Sequence, residues 1–413
     1  MSELKNRNKE SSRVAVILPT YSLKDPVTRN TINSVLNLFD KIIIVEQYPA
    51  TEYSFDSKKV EIKYLKDFRN WPRKAGLKST LKWLTYKFYV NKIVRKYKPD
   101  LIISFMLSPL AALNFPVSSL LVSCIYDIPS EKYSGRLDSI INKKGFKKLA
   151  TADIVWSSDP FKADLTKEMA QLNKLPYICY NCPDVNYAAN IDKHAKRRWL
   201  RERLIQQGAP ISHHTGSVLI RAGAIGIYGG IENTILAMKH LPDDHIFLMM
   251  GRPEISFELK VKQIILDEGL QNRVFLWKGP DDETWKNALF GADIGHLIHE
   301  KPYKGSPEAD IFRLNSSLSN NRIFYYMAAA LPILSYEDDR LTDLHRSVDC
   351  FQVVSPDDIN DIKNKWISLS ENNNLYDEQS LNSFKAYKTE FSWQIQFSKV
   401  RSQITARLSY DTL

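Results

Sequence analysis

Short apolar runs alternate with helical stretches along the first half of the chain. The run from Val14 to Leu18 is followed by Asp25 and Pro26, which suit a helix N-cap and a first helical position because proline has no N–H to lose there. Further apolar runs are "KIIIVEQ", "KVEIKYL", "LIISFM", "SLLVSCIY" and "ADIVWSS", with helical stretches near 77–97, 131–150 and 160–171. Short continuous strands joined by helices predict βαβ units around a buried parallel sheet.

A polar and basic segment interrupts this alternation in the middle of the chain. Between Asn181 and Thr215 we find no convincing strand, and afterwards runs such as "SVLIRAG", "HIFLMMG" and "RVFLWKG" resume the strand–helix pattern. The pattern predicts an α/β protein with two doubly wound halves. The predicted parts are a first domain over 1–185, a connection over 186–215, a second domain over 216–388 and a C-terminal helix over 389–413.

Length and composition are consistent with two domains and exclude several classes of protein. The 413 residues are too many for one ordinary domain, and no run of about 18 apolar residues predicts a membrane-spanning helix. The N-terminal "MSELKNRNKESSR" has no apolar core of a secretory signal, so we expect a cytoplasmic protein. Cys179 and Cys182 form a lone C-x-x-C without a second pair at zinc spacing, so neither a disulfide scaffold nor a metal site is expected.

Basic residues are concentrated between Phe68 and Lys98. This segment contains ten lysines and arginines and no acid, interleaved with aromatic and aliphatic residues. Basic, aromatic-rich helices favour anionic surfaces, so residues 68–98 are predicted to contact an anionic membrane surface. The alternatives are a solvated helix face with its apolar side in the core, and a nucleic-acid surface supported by this segment alone. No nucleic-acid partner is expected.

Glycines follow several strand-like segments of the second half. Ligands of parallel sheets bind beyond the carboxyl ends of the strands, where glycine lets the backbone approach a ligand. None of the segments is a G-x-G-x-x-G fingerprint or a P-loop, which weakens a nicotinamide or ATP assignment. A single glycine of this kind is more often a turn residue, and only their recurrence favours a cleft. The glycines are Gly223, Gly226, Gly229, Gly230, Gly251 and Gly279.

The stretch "SNNRIFYYMAAALPILSYED", from Ser319 to Asp338, predicts a helix that leads into a strand. Asn320 or Asn321 is suited to cap the helix, leaving first-turn N–H groups free to face an anion. Arg322 lies in that first turn, where its charge opposes the helix dipole unless something negative binds there. A diphosphate would remove this conflict, whereas the alternative is an exposed arginine that points into water.

Several motifs, in order and spacing, resemble the GT-B glycosyltransferases, most closely family 4, over nearly the whole chain. "VILPTYSLKDPVTRNTINSV" is similar to the family's opening strand, loop and Asp-Pro helix, and "IRAGAIGIYGGIENTILAMKHLPDDHIFLMMG" to the start of its donor domain. "NNRIFYYMAAALPILS" resembles the family's Asn-Lys-x-Phe-Glu-Tyr-Met-Ala-Ala-Gly-x-Pro block, and "FSWQIQFSKV" its closing helix. The resemblance implies two Rossmann-like domains facing a central cleft, with the C-terminal helix crossing back to the first domain.

The same resemblance implies a reaction. It predicts a hexosyltransferase that moves a sugar from a nucleotide-sugar donor, with retention of configuration, to a saccharide or lipid-linked saccharide acceptor. The step would serve bacterial cell-surface polysaccharide or glycolipid biosynthesis at the inner face of the membrane, without a metal or other cofactor. The predicted donor-binding residues are Gly223, Arg252, Asn321, Arg322 and Tyr325, and the predicted acceptor-side residues are Thr20, Tyr21, Asp25 and Arg29.

Several family motif positions carry a different residue in this chain, among them Ala330 in place of a glycine and four positions with functional side chains. The glutamate that holds the nucleotide ribose falls on Tyr325, and a glutamate of many members falls on Ser317. The basic residue that grips the diphosphate falls on Gly229, and the first-domain histidine falls on Pro129. Either the Tyr325 hydroxyl replaces the carboxylate, or Tyr325 and Tyr326 are packing residues of a site that no longer binds a nucleotide. The second interpretation corresponds to a catalytically inactive GT-B protein that acts as a partner subunit or scaffold.

Other polar residues of the second half are predicted to lie near the cleft. Arg221 and Arg252 are predicted at strand ends, where either could replace the missing diphosphate cation. His296 and His299 are three apart in a strand-like run and so face opposite sides, which argues against a shared metal. The sequence assigns no catalytic residue.

Overall fold

The computed structural model describes residues 12–20, 23, 25–46, 55, 57–64, 77–114, 118–129, 135–227, 229–299 and 321–410. The chain divides into two compact units. The first unit comprises Met1–Asn181 together with Gln396–Leu413, and the second comprises Cys182–Ile395. Within the described ranges, no helix is long and apolar enough to cross a membrane.

The first unit contains a seven-stranded parallel sheet in the order β3-β2-β1-β4-β5-β6-β7. Its strands are β1 Val14–Leu18, β2 Lys41–Glu46, β3 Val60–Tyr64, β4 Leu101–Phe105, β5 Leu120–Ile125, β6 Ile154–Ser157 and β7 Tyr177–Ile178. Its helices are α1 Pro26–Val35, α2 Leu77–Tyr97, α3 Leu107–Ala112, α4 Arg136–Leu149 and α5 Pro160–Ala170. Because the strand order reverses between β1 and β4, their carboxyl ends form the topological switch point of this sheet.

The second unit contains a six-stranded parallel sheet in the order β10-β9-β8-β11-β12-β13. Its strands are β8 Ser217–Ile225, β9 His245–Pro253, β10 Val274–Lys278, β11 Ile294–His296, β12 Ile333–Tyr336 and β13 Phe351–Val354. Its helices are α6 Lys193–Gln206, α7 Ile231–Ala237, α8 Ile255–Asp267, α9 Asp282–Gly291, α10 Arg322–Ala328, α11 Thr342–Ser347, α12 Ile359–Glu371 and α13 Asn373–Thr389. The strand order reverses between β8 and β11.

The apolar runs form these strands because both faces of the sheets are covered. Successive residues of a strand point to opposite faces, yet every residue from Ala15 to Leu18 and from Ile42 to Val45 is fully buried. The predicted start of α1 is also present, since the Asp25 carboxylate accepts a hydrogen bond from the Thr28 N–H at 3.1 Å and Pro26 follows it. Local sequence signals therefore account for the strands and for this helix start.

The last helix, α14 (Trp393–Tyr410), becomes part of the first unit from Gln396 onward. Its Phe397 ring packs edge-on against Trp156 of β6, with 5.6 Å between ring centroids. Arg401 Nε donates to the Ser34 carbonyl at the end of α1 over 3.0 Å. These contacts fit the predicted return of the C-terminal helix to the first domain.

The segment predicted as a connection, 186–215, instead lies in the second unit, where it contains α6. Arg201 of α6 is fully buried and donates to the carbonyls of Thr215 and Gly216 and to Asp293, at 2.7, 3.0 and 3.0 Å. Asp293 in turn accepts from the Val218 N–H at the start of β8 over 2.8 Å. The basic pattern suggested a solvated linker, whereas its arginine pairs with a carboxylate 92 residues away.

Candidate functional site

The candidate donor site lies at the switch point of the second sheet. β8 pairs with β11 through Leu219 and Ile220, and β11 ends at His296. β8 continues past this ladder and pairs with β9 as far as Ile225. Since ligands of open parallel sheets bind at such a switch point, the residues around the end of β8 form the candidate site.

Two glycines allow close approach at the end of β8. Gly223 and Gly251 are register partners on β8 and β9, and a Cβ on Gly251 would lie 1.7 Å from the Gly223 carbonyl oxygen. Gly223 has a φ of 123°, which side-chain-bearing residues rarely adopt, and a Cβ there would lie 3.0 Å from Arg322 Nη2. Gly223 therefore makes the space that the Arg322 guanidinium fills.

Arg322 opens α10 and is buried, with only 8% of the residue exposed. Burial lowers the pKa of its guanidinium, and Nε and Nη1 have no hydrogen-bond partner in the described part of the chain. The exposed orientation considered from the sequence is therefore wrong. Buried cationic donors without acceptors cost several kcal/mol, so an anionic ligand at this position would relieve a real penalty.

The start of α10 differs from the cap expected at Asn321. The Asn321 side chain makes no capping hydrogen bond, and its φ of −52° and ψ of −17° are helical instead of extended. Its backbone carbonyl accepts the N–H groups of Phe324 and Tyr325 at 3.1 and 3.2 Å. Asn320, the other predicted cap, and Ser317 lie outside the described residues.

Arg221, His296 and Thr234 form a buried hydrogen-bond network beside this site. Arg221 Nη1 donates to His296 Nδ1 at 3.1 Å, so Nδ1 carries the lone pair and Nε2 carries the proton. Nε2 then donates to Thr234 Oγ1 at 2.9 Å, and Thr234 donates to the Gly230 carbonyl. Burial and then the Arg221 charge hold the pKa of His296 well below its usual range. His296 is therefore a neutral structural residue, and no cluster of three metal-ligating side chains occurs among the described residues.

Arg221 was predicted at a strand end but lies in the interior of β8, 2% exposed. Its Nη1 donates to the carbonyls of Gly229 and Ile298 at 2.7 and 3.2 Å. A Cβ on Gly229 would lie 2.6 Å from Arg221 Nη2. The position where the family motif has a cation is thus a glycine because the Arg221 guanidinium already occupies that space.

The adjacent tyrosines of α10 differ in their surroundings. Tyr326 is fully buried; its hydroxyl accepts from the Ala222 N–H at 3.0 Å and lies 3.0 and 3.1 Å from the carbonyl oxygens of Ile220 and His296. The hydroxyl therefore bridges β8 and β11 where their ladder ends. Tyr325 is half-buried, with its ring edge-on to Tyr187 at 4.9 Å between centroids.

Only some of the predicted donor-binding residues lie close together in the structure. Gly223 and Arg322 are in contact, as described above. Arg252 is exposed on β9 and is the register partner of Ala224, one residue past Gly223. Asn321 begins the turn that carries Arg322, whereas Tyr325 faces Tyr187 one helical turn later. Gly223 and Arg322 are accordingly the predicted pair that the structure brings together.

Of the predicted acceptor-side residues, Thr20, Asp25 and Arg29 follow β1 and lie near the switch point of the first sheet. Thr20, just after β1, donates through Oγ1 to the Phe105 carbonyl at the end of β4 over 2.6 Å. Asp25 caps α1, and burial raises the pKa of its carboxyl. The Arg29 N–H donates to the Asp25 carbonyl at 3.2 Å within α1. Tyr21 lies outside the described residues.

Three buried polar residues near the carboxyl ends of strands were missed in the sequence. Thr234 completes the His296 network, and Glu46 at the end of β2 accepts from the Leu23 N–H at 3.1 Å while 2% exposed. Lys162 of α5 is fully buried and its Nζ lies 3.3 Å from Asp127 Oδ1, just after β5. The acid at the end of "KIIIVEQ" was a visible signal for Glu46. The other two depend on pairings between distant segments.

The sequence matches no protein-family model and no curated protein, but the structure is similar to solved glycosyltransferases along almost its full length. A glycosyltransferase from Rickettsia africae shares 14% identity at a TM-score of 0.66, covering 96% of this chain and 99% of that one. HepE of Anabaena, in complex with UDP and glucose, shares 14% identity at a TM-score of 0.64, covering 95% of this chain and 100% of that one. WaaG, a glycosyltransferase involved in lipopolysaccharide biosynthesis, shares 14% identity at a TM-score of 0.61, covering 95% of this chain and 99% of that one. The chain has the GT-B fold, as its motifs predicted.

Proposed function

We propose that this protein is a glycosyltransferase that takes a sugar from a nucleotide-sugar donor. The fold is that of glycosyltransferases, and one structural neighbour, HepE, was solved with UDP and with UDP-glucose. The donor would bind at the switch point of the second unit, with its diphosphate against Gly223 and Arg322. Arg252, Asn321 and Tyr325 are the further donor-binding residues of the proposal.

The observation that carries this proposal is the buried guanidinium of Arg322. Its Nε and Nη1 lack acceptors among the described residues, and Gly223, which has no side chain, lets the guanidinium lie against the end of β8. Diphosphate oxygens are strong acceptors for such donors, and charge-assisted bonds of this kind are about twice as strong as neutral ones. Negative charge grows on the diphosphate as the sugar departs, so a fixed cation there stabilises the transition state.

The acceptor proposed here is a saccharide or lipid-linked saccharide that contacts the first unit near Thr20, Tyr21, Asp25 and Arg29. A lipid-linked acceptor would bring the protein to the inner face of the cell membrane, in surface polysaccharide or glycolipid assembly. Transfer would proceed with retention and without a metal. The basic composition of 68–98 supports this part of the proposal.

A catalytically inactive partner subunit is the second candidate. Gly229 and Pro129 replace family motif residues, and Gly229 is too close to Arg221 to accept a side chain. A site that has lost its nucleotide would keep the fold and the Tyr326 bridge. It would have no reason to keep Arg322 buried with Nε and Nη1 lacking acceptors among the described residues, which is why the transferase is favoured.

A thermal-shift panel with UDP, GDP, dTDP, CMP and their sugar conjugates tests the proposal. A ligand at about 100 times its Kd adds roughly 2.7 kcal/mol, equivalent to about 5–10 °C for a unit of this size. We expect one nucleotide to raise the Tm of the wild type and to lose its effect in Arg322→Met. Arg346→Met, which removes an exposed arginine of α11, should keep the shift. If no nucleotide changes the Tm, the partner-subunit candidate replaces the transferase.

A further inference from the structure

The solvent-facing side of α8 in the second unit carries a row of apolar side chains. Ile255, Leu259 and Leu266 are 83%, 65% and 58% exposed. The helix also has a separate inward face, whose buried residues are Phe257, Val261 and Ile265. Since this inward face already packs α8 within the unit, the exposed row is free to serve as an interaction surface.

The spacing of this row is that of a helix-pairing seam. Together with Lys262, the apolar residues follow one another along α8 at intervals of four, three and four residues. These are the intervals of the a and d positions through which two helices pair in a coiled coil. The seam, defined as Ile255, Leu259, Lys262 and Leu266, extends over 12 of the 13 residues of the helix. Its shape therefore fits a second helix packed along it.

The charges of α8 make the seam complementary to a second copy of itself. Lys262, with 56% of its side chain exposed, pairs with Glu258 one turn earlier at 2.7 Å. An antiparallel copy would place Leu259 opposite Lys262 of the other copy, so that each Lys262 also reaches the other copy's Glu258. A parallel copy would instead place Glu258 against Glu258 and Lys262 against Lys262, which is unfavourable. The charge pattern therefore favours antiparallel pairing.

The same charges fit other occupants less well. The two acids of α8, Glu258 and Asp267, equal its two lysines in number, and Lys260 already pairs with Glu232 of α7. Anionic bilayers and nucleic acids are bound by an excess of positive charge, which α8 lacks.

We propose that α8 pairs antiparallel with α8 of a second copy of this chain. A two-fold axis between Leu259 and Lys262 would make the contact isologous, with Ile255 opposite Leu266 at both ends and the Lys262 stems covering Leu259. Three apolar side chains per copy cover less than the roughly 800 Å² that each partner gives to a standard interface, so we expect a Kd in the micromolar range. The inference rests on α8 and does not depend on the donor site.

Sedimentation velocity of the full chain, at concentrations from about 1 to 100 µM, measures this association. The wild type should shift from monomer toward dimer across the range. Leu259→Gln removes an apolar side chain at the centre of the seam and should weaken dimerisation about tenfold or more. The control, Leu381→Gln, makes the same change at a 67% exposed leucine of α13 and should dimerise like the wild type. A wild type that stays monomeric throughout, or an equal loss in both variants, would overturn the inference.

An exchange of charges tests the antiparallel arrangement. Lys262→Glu places a carboxylate against Glu258 of the other copy, and Glu258→Lys places an ammonium group against Lys262 of the other copy. Each variant alone should dimerise about tenfold more weakly, whereas an equimolar mixture of the two should dimerise again because opposite charges then meet at both contacts. A mixture that stays monomeric, while both variants melt like the wild type, would overturn antiparallel pairing.

Vesicle binding separates this surface from a membrane contact. The wild type and Leu259→Gln are co-sedimented with vesicles of phosphatidylcholine and phosphatidylglycerol, and we expect the two to bind equally. Vesicle binding that Leu259→Gln abolishes, in a wild type that does not self-associate, would assign the seam to a membrane and overturn the inference.

Discussion

Replacing Arg322 by methionine should have opposite effects on stability and on ligand binding. Methionine keeps the unbranched apolar stem that packs at the start of α10 and removes the buried charge. In the free protein, Nε and Nη1 are buried without acceptors among the described residues, so the wild-type arginine is a cost to folding. If a diphosphate binds there as proposed, the same atoms would donate charge-assisted hydrogen bonds to it.

The size of the effect follows from the buried donors. Leaving a buried polar donor unsatisfied costs about 1–3 kcal/mol, and exchanging buried ionic groups for apolar ones of similar volume often stabilises a protein by about 1–4 kcal/mol. Arg322→Met should therefore raise the Tm of the free protein by roughly 2–10 °C. Arg346→Met, on the exposed side of α11, should change stability by less than about 0.5 kcal/mol.

Thermal melting of both variants, with and without the nucleotide that stabilises the wild type, distinguishes the outcomes. The expected result is a higher Tm for Arg322→Met without ligand and no further rise with ligand. A lower Tm together with a retained nucleotide shift would refute the reasoning. Arg322 would then be a packing residue whose charge is satisfied within the protein.

Three further predictions concern the same unit. Tyr326→Phe should lower stability by about 1–3 kcal/mol in urea denaturation, because it removes a hydroxyl that bridges two strands, whereas Tyr325→Phe should leave the Tm unchanged and alter only nucleotide affinity. Gly223→Ala should destabilise the protein by about 1–3 kcal/mol and abolish the nucleotide-induced rise in Tm, because its Cβ would strain the backbone and press on Arg322. A normal nucleotide-induced rise in Tm would contradict a donor site at Gly223. The pKa of His296 in the folded state lies far below its ordinary 6.5, so only the unfolded state takes up a proton there as the pH falls below 6.5. The free energy of unfolding should therefore fall by up to about 1.4 kcal/mol per pH unit. His296→Asn should reduce this slope, and an identical slope would exclude a buried neutral His296.

Much of the fold could be predicted because its signals are local. The apolar runs at Val14–Leu18 and in "KIIIVEQ" needed only their own composition to indicate buried parallel strands, and Asp25 with Pro26 was enough to start α1. The conflict between Arg322 and the helix dipole was also visible in a single turn of sequence. The motif order that resembles GT-B glycosyltransferases supplied the topology.

The candidate site was predicted less completely because its contacts join distant segments. Nothing local shows that Arg201 binds Asp293, which is why 186–215 was taken for a connection. Nothing local shows that the Arg221 guanidinium lies against Gly229, although this explains the missing cation. The helical dihedral angles of Asn321, which remove the expected cap, likewise depend on how α10 packs.

By itself, the sequence determined the parallel α/β architecture, the two-part organisation and several residues of the candidate site. These follow from periodicity, capping and composition, which act over a few residues. Only the tertiary structure decided that Arg322 is buried with Nε and Nη1 lacking acceptors among the described residues, and that His296 is a neutral residue of the network. Burial and charge pairing are set by residues far apart in the chain, so their energies exist only once the sheets have formed.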